Sequence, residues 1–177
     1  MVEIVQVPGK SKLVELRIGV KAGAMDEREN EAGLTHYCEH AAFRKTGPRG
    51  TGCLHLKGAR FNAMTTSEYT VFTLGCGVDN NADIVEIVQC FTTMIQAMKE
   101  ISDEHFEAEK IIVVEELKMR GANPARMLYI NNNILVFGHD SPYGQDVGGT
   151  PSTSRRKSTD PQMTLTLLTP LTTMVTT

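Results

Sequence analysis

The segment His36-Tyr37-Cys38-Glu39-His40 has the pattern H-x-x-E-H. On a helix, His36 and His40 lie one turn apart, because four steps of 100° bring them back to within about 40° of each other. Two imidazoles on one face of a helix can bind a single metal ion. Glu39 lies beside them, where its carboxylate can take a proton from a metal-bound water without being a ligand itself. The segment therefore predicts a helix that carries part of a metal site.

The order H-x-x-E-H reverses the H-E-x-x-H of the commoner zinc proteases and is the inverzincin motif. The same pattern also occurs by chance, and two histidines at this spacing are more often surface residues than a metal site. A catalytic zinc ion takes three protein ligands. The interpretation as a Zn2+ site therefore requires a third ligand from another part of the chain.

Hydrophobic patterns around this helix predict both strands and helices. Residues 3–7 and 13–20 alternate apolar and polar side chains around a turn, which is a hairpin signal. Two further β-prone stretches follow at 59–65 and 68–74. Helices are expected at 33–43, 84–98, 102–119 and 125–137, the third with Ser102 as its N-cap. One apolar stripe on the second of these helices is expected in the core: Ile84, Ile87, Val88, Phe91, Met94, Ile95 and Met98.

Length and composition bound the class of protein. The 177 residues suit a single domain with a sizeable core. A net charge of -3 gives no sign of a nucleic-acid footprint, and no apolar run approaches the ~20 residues of a membrane span. The N-terminal residues lack the basic and apolar regions of a signal peptide, so we expect a cytoplasmic chain. No C-x-x-C pair occurs, and the cysteines are expected to be reduced thiols: Cys38, Cys53, Cys76 and Cys90.

The character of the sequence changes after Thr150. Residues 159–177 consist mainly of Thr, Leu and Pro with almost no charge, and they follow neither the strand period nor the helix period. We therefore expect one α+β unit at residues 1–150. Residues 151–177 are expected to form an atypical Thr-rich tail, either disordered or an incomplete part of the unit.

The acidic helix expected at 102–119 offers candidates for the third ligand. Glu109 and Glu116 are two turns apart and so lie on one face, whereas Glu115 is rotated by about 100°. One of the two carboxylates can bind a metal while the other supports a histidine or a water. The alternative is a solvated acidic edge, because Glu is common on helix surfaces. The apolar run Ile111-Ile112-Val113-Val114 favours a place beside the core for Glu116.

Landmarks at residues 3–150 resemble the N-terminal unit of the insulinase/pitrilysin family of zinc peptidases, which includes the mitochondrial processing peptidase. Residues 20–27 resemble the strand and acidic turn of the family, 33–46 its metal helix, 62–70 its substrate strand and 109–117 the helix of its third ligand. Pro142-Tyr143-Gly144 and Gly148-Gly149-Thr150 resemble a later landmark, with Ser141 where histidine is usual. The spacing between His40 and Glu116 is also of the kind that the family shows.

This resemblance implies a fold and a set of roles. The fold would be α+β, with a mainly antiparallel sheet, helices packed on one face and the metal helix beside the strand of Asn62, as in processing peptidases. By this resemblance, zinc would be bound by His36, His40 and Glu116. Glu39 would act as the general base, and Glu109 would support one of the ligands. The substrate would bind at the strand edge formed by Asn62 and Ala63. An extended peptide would add to that edge as an extra strand.

The implied activity is that of a zinc metalloendopeptidase that cleaves extended peptides or unfolded protein with a zinc-activated water. Residues 46–58 look shorter and richer in glycine than the corresponding helix of the family. Family members are usually built from several such units, and this chain has at most one. We therefore expect a homodimer or a complex with a second, larger subunit. The alternative is a non-catalytic partner or scaffold subunit, or a truncated relative, of a processing-peptidase-like complex.

Overall fold

The computed structural model describes residues 12–28, 31–50, 59–77, 81–96 and 102–150. Within these residues the chain forms three strands and four helices. Their order is β1 (Leu13–Val20), a short 3-10 turn (Ala24–Asp26), α1 (Leu34–Gly50), β2 (Arg60–Thr65), β3 (Thr70–Gly77), α2 (Asn81–Gln96), α3 (Asp103–Gly121) and α4 (Pro124–Phe137). The predicted α+β class is confirmed.

The strands form one antiparallel sheet in the order β1-β3-β2. Between β2 and β3 the chain turns tightly, and the N–H of Thr66 donates to Tyr69 O at 2.8 Å. The central strand β3 buries alternate side chains: Thr70, Phe72, Leu74 and Cys76. Phe72, Leu74 and Cys76 share a core with side chains of α1 and α2, so these two helices cover one face of the sheet, as predicted.

Helix α1 begins where the carboxylate of Glu27 meets its first backbone N–H groups. Glu27 accepts hydrogen bonds from the N–H of Gly33 at 2.6 Å and of Thr35 at 2.7 Å. A carboxylate at this end satisfies backbone donors that have no partner within the helix and complements the helix dipole. Gly33 has φ 84°, a left-handed conformation that glycine adopts readily. This cap fixes where the helix starts and therefore where its histidines lie.

Helix α1 runs on to Gly50, beyond the residues 33–43 predicted from the sequence. The prediction stopped early because Pro48 and the glycines after Thr46 are poor helix formers. Adding a residue to an existing helix costs far less than starting a new one, so a packed first half can carry a weak second half.

Helix α1 contributes side chains to two separate clusters of buried residues. The sheet cluster joins β1, β3 and α2 and contains Val20, Ala22, Ala42, Phe72, Leu74, Cys76, Ile87 and Phe91. The helix cluster joins α1 and α3 and contains Leu34, Tyr37, Cys38, Ala41, Phe106, Val113 and Leu117. Tyr37 ties this second cluster together, because its hydroxyl donates to the carbonyl of Phe106 at 3.0 Å. Helix α1 is thus held between the sheet and α3.

Two sequence predictions need correction. In the apolar stripe of α2, Ile87 and Phe91 are buried but Val88 is 41% exposed, because the buried face of this helix is narrower than the stripe. Cys38 and Cys76 are buried thiols as predicted, whereas Cys90 is disulfide-bonded. A disulfide depends on which side chains the fold brings together, and the spacing of cysteines in the sequence does not reveal that.

Other predictions fall beyond the described residues. The strand predicted at 3–7 and the tail at 151–177 lie outside them.

Ser102 is confirmed as the N-cap of α3, since its hydroxyl accepts from the N–H of His105 at 3.3 Å. Among the described helices, none combines the length and apolar character needed to cross a membrane.

Candidate metal centre

His36 and His40 lie on the side of α1 that faces α3, and Glu116 reaches them from α3. Glu116 Oε2 is 2.8 Å from His40 Nε2 and 3.8 Å from His36 Nε2. The two imidazole rings have centroids 4.7 Å apart and planes inclined at 76°. One donor atom of each residue lies within 4.8 Å of the other two. The fold therefore brings together the three side chains singled out as candidate ligands.

The chemistry of this donor set fits a zinc ion. Two imidazole nitrogens and one carboxylate oxygen form a set typical of catalytic zinc, which keeps a fourth tetrahedral position for water or substrate. With bonds of about 2.0–2.1 Å, neighbouring ligand atoms in a tetrahedral site lie about 3.3 Å apart. The distances from Glu116 Oε2 to the two histidines, 2.8 and 3.8 Å, fall on either side of that value. Small side-chain rotations would place all three around one ion.

Glu109 holds His40 from the side away from Glu116. Its Oε1 is 3.0 Å from His40 Nδ1, and the Glu109 side chain is only 7% exposed. Burial lowers the pKa of His40, but the Glu109 hydrogen bond and the charges of Glu116, Glu109 and Glu39 raise it above its ordinary value. A carboxylate on Nδ1 directs Nε2 toward the shared centre and fixes the orientation of the ring.

Glu39 lies on α1, and its side chain reaches the end of β2. The hydroxyl of Thr65 donates to Glu39 Oε2 at 2.5 Å. Burial raises the pKa of Glu39, and the Thr65 hydrogen bond and the charges of His40 and Arg120 offset this only in part. Such a carboxylate accepts a proton more readily than an exposed one. The stacking of Phe43 on Phe61, with centroids 5.3 Å apart, also joins α1 to β2.

Two further residues, Arg120 and Gly148, lie next to Glu116 Oε1 and His36 Nδ1, respectively. Arg120 Nη2 lies 2.5 Å from Glu116 Oε1. Gly148 packs so closely against this group that a Cβ there would lie 2.5 Å from Leu117 Cδ2 and 3.5 Å from His36 Nδ1. Gly148 therefore leaves the space that these side chains occupy.

Three further residues at the site were not predicted from the sequence: Thr65, Arg120 and Gly148. Arg120 carried a signal, because it follows Glu116 by four residues and such pairs meet on a helix surface. Thr65 and Gly148 belong to segments that resemble the family, but nothing in the sequence indicates that they lie next to Glu39 and His36. Cys38 lies between the two histidines in the sequence, but its side chain is buried in the helix cluster. It does not belong to the group formed by His36, His40 and Glu116.

Asn62 and Ala63 lie on β2 and outside the group of candidate ligands. Within the described residues β2 pairs only with β3, so its other side is an edge of the described sheet. Asn62 is exposed and Ala63 half-buried, and the N–H of Ala63 donates to Asn62 Oδ1 at 2.9 Å. The strand continues to Thr65, which contacts Glu39. This edge therefore leads directly to the candidate centre, and the prediction that the metal helix lies beside the strand of Asn62 is confirmed.

Comparisons with known proteins place this geometry in context. The family model described as insulinase (peptidase family M16) matches residues 4–135. An uncharacterised zinc protease of Mycobacterium leprae is 30% identical over 152 residues, which cover 80% of this chain and 31% of the relative. Subunit 1 of the mitochondrial cytochrome b-c1 complex of Mus musculus is 24% identical over 80% of this chain and 29% of its own length. The chain thus spans about a third of the length of the curated relatives it matches.

Solved structures share the fold at low sequence identity. The periplasmic protease PqqL of Escherichia coli has a TM-score of 0.77 at 17% identity, over 89% of this chain and 18% of that one. A peptidase M16 inactive domain from Pseudomonas fluorescens has a TM-score of 0.72 at 12% identity, over 89% of this chain and 38% of that one. The same architecture therefore occurs in a chain described as a protease and in one described as inactive.

Proposed function

Because the chain belongs to the insulinase family (peptidase family M16), we propose that it supplies the catalytic unit of a zinc metalloendopeptidase. The observation that carries this proposal is the convergence of His36, His40 and Glu116, with one donor atom of each within 4.8 Å of the others. Glu39 next to this group adds a carboxylate that can move protons. The proposed substrate is an extended peptide or an unfolded segment of protein.

The proposal assigns each side chain a separate task. His36, His40 and Glu116 would bind zinc, and Glu109 would keep His40 Nε2 directed at it. Bound zinc would lower the pKa of its water towards ~7 and polarise the scissile carbonyl. Glu39 would take a proton from the attacking water and give it to the leaving amine. Thr65 already donates to Glu39 Oε2, so Oε1 is the oxygen proposed to hold the proton.

The edge of β2 is the proposed place for substrate. An extended peptide can add to a strand edge through main-chain hydrogen bonds, while its alternate side chains enter pockets. Within the described sheet, the side of β2 away from β3 offers such an edge. The side chain of Asn62 now accepts from the N–H of Ala63 and would have to turn away so that a substrate carbonyl could take its place.

Zinc content measured together with cleavage of an unstructured, fluorescence-quenched peptide tests this function. Glu39→Gln should retain zinc and lose hydrolysis, because a carboxamide cannot accept the proton of the water. Glu115→Gln on the exposed side of α3 is the matched control and should cleave like the wild type. Hydrolysis by Glu39→Gln at the wild-type rate would show that the general-base role is wrong.

A second candidate function is that of a non-catalytic partner or scaffold subunit. It is favoured by a relative that is named as a subunit of the cytochrome b-c1 complex. Against it stands the complete set of candidate ligands with Glu39. Zinc binding without any peptide cleavage, by the chain alone or with added partner, would favour this alternative.

We also propose that the working form contains more protein than one copy of this chain, as a homodimer or with a second, larger subunit. Helix α4 supports this, because all of its residues are at least partly exposed and Leu128, Leu135 and Val136 are 72%, 86% and 64% exposed. Large apolar side chains grouped in this way are typical of surfaces that contact other protein. Light scattering that shows a monomer at micromolar concentration, together with rapid peptide turnover, would contradict it.

A further inference from the structure

We propose that Arg120 is a positioning residue that holds Glu116 in the orientation needed for binding metal through one oxygen. Arg120 Nη2 lies 2.5 Å from Glu116 Oε1, whereas Oε2 of the same carboxylate faces His40 Nε2 and His36 Nε2. The two oxygens are thus divided between the arginine and the histidines. This inference rests on the proposed function, because it concerns the same candidate zinc site.

Glu116 needs such a partner more than Glu109 does. The side chain of Glu116 is 25% exposed, whereas that of Glu109 is 7% exposed and fixed by packing. A partly exposed glutamate loses considerable rotamer freedom when it is held in one position. An ion pair already formed before metal arrives removes that cost from the binding step, which is the general advantage of preorganisation.

Arg120 forms one ion pair and lies next to one loop. It follows Glu116 by four residues, the helix spacing at which an acidic and a basic side chain meet. On its other side lies the loop at Gly148, where an added Cβ would come into ordinary contact with Arg120 Nη1 at 3.6 Å. Asp146 keeps this loop in position, because it forms an ion pair with Arg126 and its Oδ1 accepts from the N–H of Gly148. The arginine therefore lies between helix α3 and a loop tied to α4.

The electrostatic effect of Arg120 opposes its positioning effect. A guanidinium close to a cation site repels the cation, and this repulsion alone would weaken zinc binding. The orientation of Glu116 acts in the other direction, since removal of a group that supports a ligand typically weakens metal binding by about 10–100-fold. The sign of the change on removing Arg120 therefore decides between the two effects.

The experiment compares zinc affinity in the wild-type chain and in R120M, R120K and K118M by competition with a chromophoric chelator. Lys118 is the matched control, because it forms a similar helix-surface pair with Glu115, at 2.5 Å, away from the site. We expect R120M to bind zinc about 10–100-fold more weakly and K118M to match the wild type. R120K should fall between R120M and the wild type, because an ammonium retains the charge but not the planar guanidinium.

Two results would overturn the inference: R120M that binds zinc as tightly as the wild type or more tightly, or K118M weakened as much as R120M. Thermal unfolding of the metal-free variants shows whether a loss of affinity reflects a loss of fold, and R120K with partial affinity argues against that. Failure of the proposed function is a different outcome, in which the wild-type chain itself binds no zinc through its two histidines. Wild-type zinc binding with unaltered R120M would reject the role of Arg120 alone.

Discussion

Helix α3 carries Glu109 and Glu116 on the side that faces α1, and Glu107 and Glu115 on the side that faces solvent. The side chains of Glu109 and Glu116 are 7% and 25% exposed, and both reach His40. Those of Glu107 and Glu115 are 58% and 59% exposed, and each forms an ion pair three residues further along the same helix, with Lys110 and Lys118. The same residue type thus occurs in two quite different settings.

The difference lies in where the partners come from. On the outer side, Glu107 and Glu115 pair with lysines of their own helix, and exposed pairs of this kind contribute little to stability. On the inner side, the histidines come from α1, which is far away in the sequence. Only the inner carboxylates therefore lie next to histidines with which they can form a metal site. The first three predictions below therefore each compare an inner residue of α3 with an outer one, and the fourth concerns His40, which the inner glutamates contact.

The largest difference is expected for the pair Glu116 and Glu115. Glu116→Ala should remove the carboxylate ligand and with it stoichiometric zinc, whereas Glu115→Ala should retain zinc and activity. Metal analysis of the two purified proteins after dialysis measures this. Zinc at full stoichiometry in Glu116→Ala would contradict the assignment of the third ligand.

Stability should differ almost as sharply between Leu117 and Met119. Leu117 is 4% exposed in the helix cluster and Met119 is 69% exposed. Leu117→Ala should lower the free energy of unfolding by about 2–5 kcal/mol, because it leaves a cavity, while Met119→Ala should change it by about 0.5 kcal/mol or less. Urea titration of both variants tests this, and equal losses would mean that α3 does not pack against α1 as described.

A smaller effect is expected for Glu109 and Glu107. Glu109→Ala should retain a zinc site but weaken it by about 10–100-fold, because His40 loses the group that orients it. Glu107→Ala should bind zinc like the wild type. Chelator competition measures both affinities, and an unaltered Glu109→Ala would show that the hydrogen bond to His40 Nδ1 has no influence on the metal.

The smallest predicted effect is a pH dependence in metal-free protein. The pKa of folded His40 is raised above its ordinary value, so protonated His40 stabilises the fold. That contribution is fully present below about pH 6.5, the pKa in the unfolded chain, and is lost as the pH rises through the folded value. In chelator-treated protein the melting temperature should therefore fall over this range.

Variants separate this histidine from other groups. His40→Asn should lessen the fall, whereas His105→Asn, at an exposed position near the start of α3, should leave it in place. Glu39, whose pKa is also raised, acts in the same direction but from a lower pH, near the ordinary range of a glutamate. A melting temperature that rises with pH above neutrality would contradict the direction given for His40.

Local patterns in the sequence were enough to predict most of the elements of this fold. Alternation located β1 and β-prone composition located β2 and β3, each to within about three residues, and Ser102 correctly marked the start of α3. The extension of α1 to Gly50 and the disulfide of Cys90 could not be predicted in this way. The extension depends on growth from a packed first half of the helix, and the disulfide depends on which side chains the fold brings together. The cytoplasmic location and the division at residue 150 stay predictions.

For the site, the sequence supplied the ligand candidates but not their surroundings. The spacing of His36 and His40 on one helix face follows from helix geometry alone. The choice of Glu116 over Glu109 as the ligand needed the family resemblance, because helix spacing places both carboxylates on the same face. Thr65 and Gly148 meet the site through the sheet and a late loop, and such contacts have no local signal.

A zinc-edge anomalous difference map from crystals grown with zinc would show whether His36, His40 and Glu116 bind one ion. We expect one strong peak between α1 and α3, bound by His36 Nε2, His40 Nε2 and Glu116 Oε2 at about 2.0–2.1 Å. The ion should leave one position open toward Glu39. A map in which zinc binds elsewhere, or binds here without Glu116, would show that the proposed zinc site is wrong.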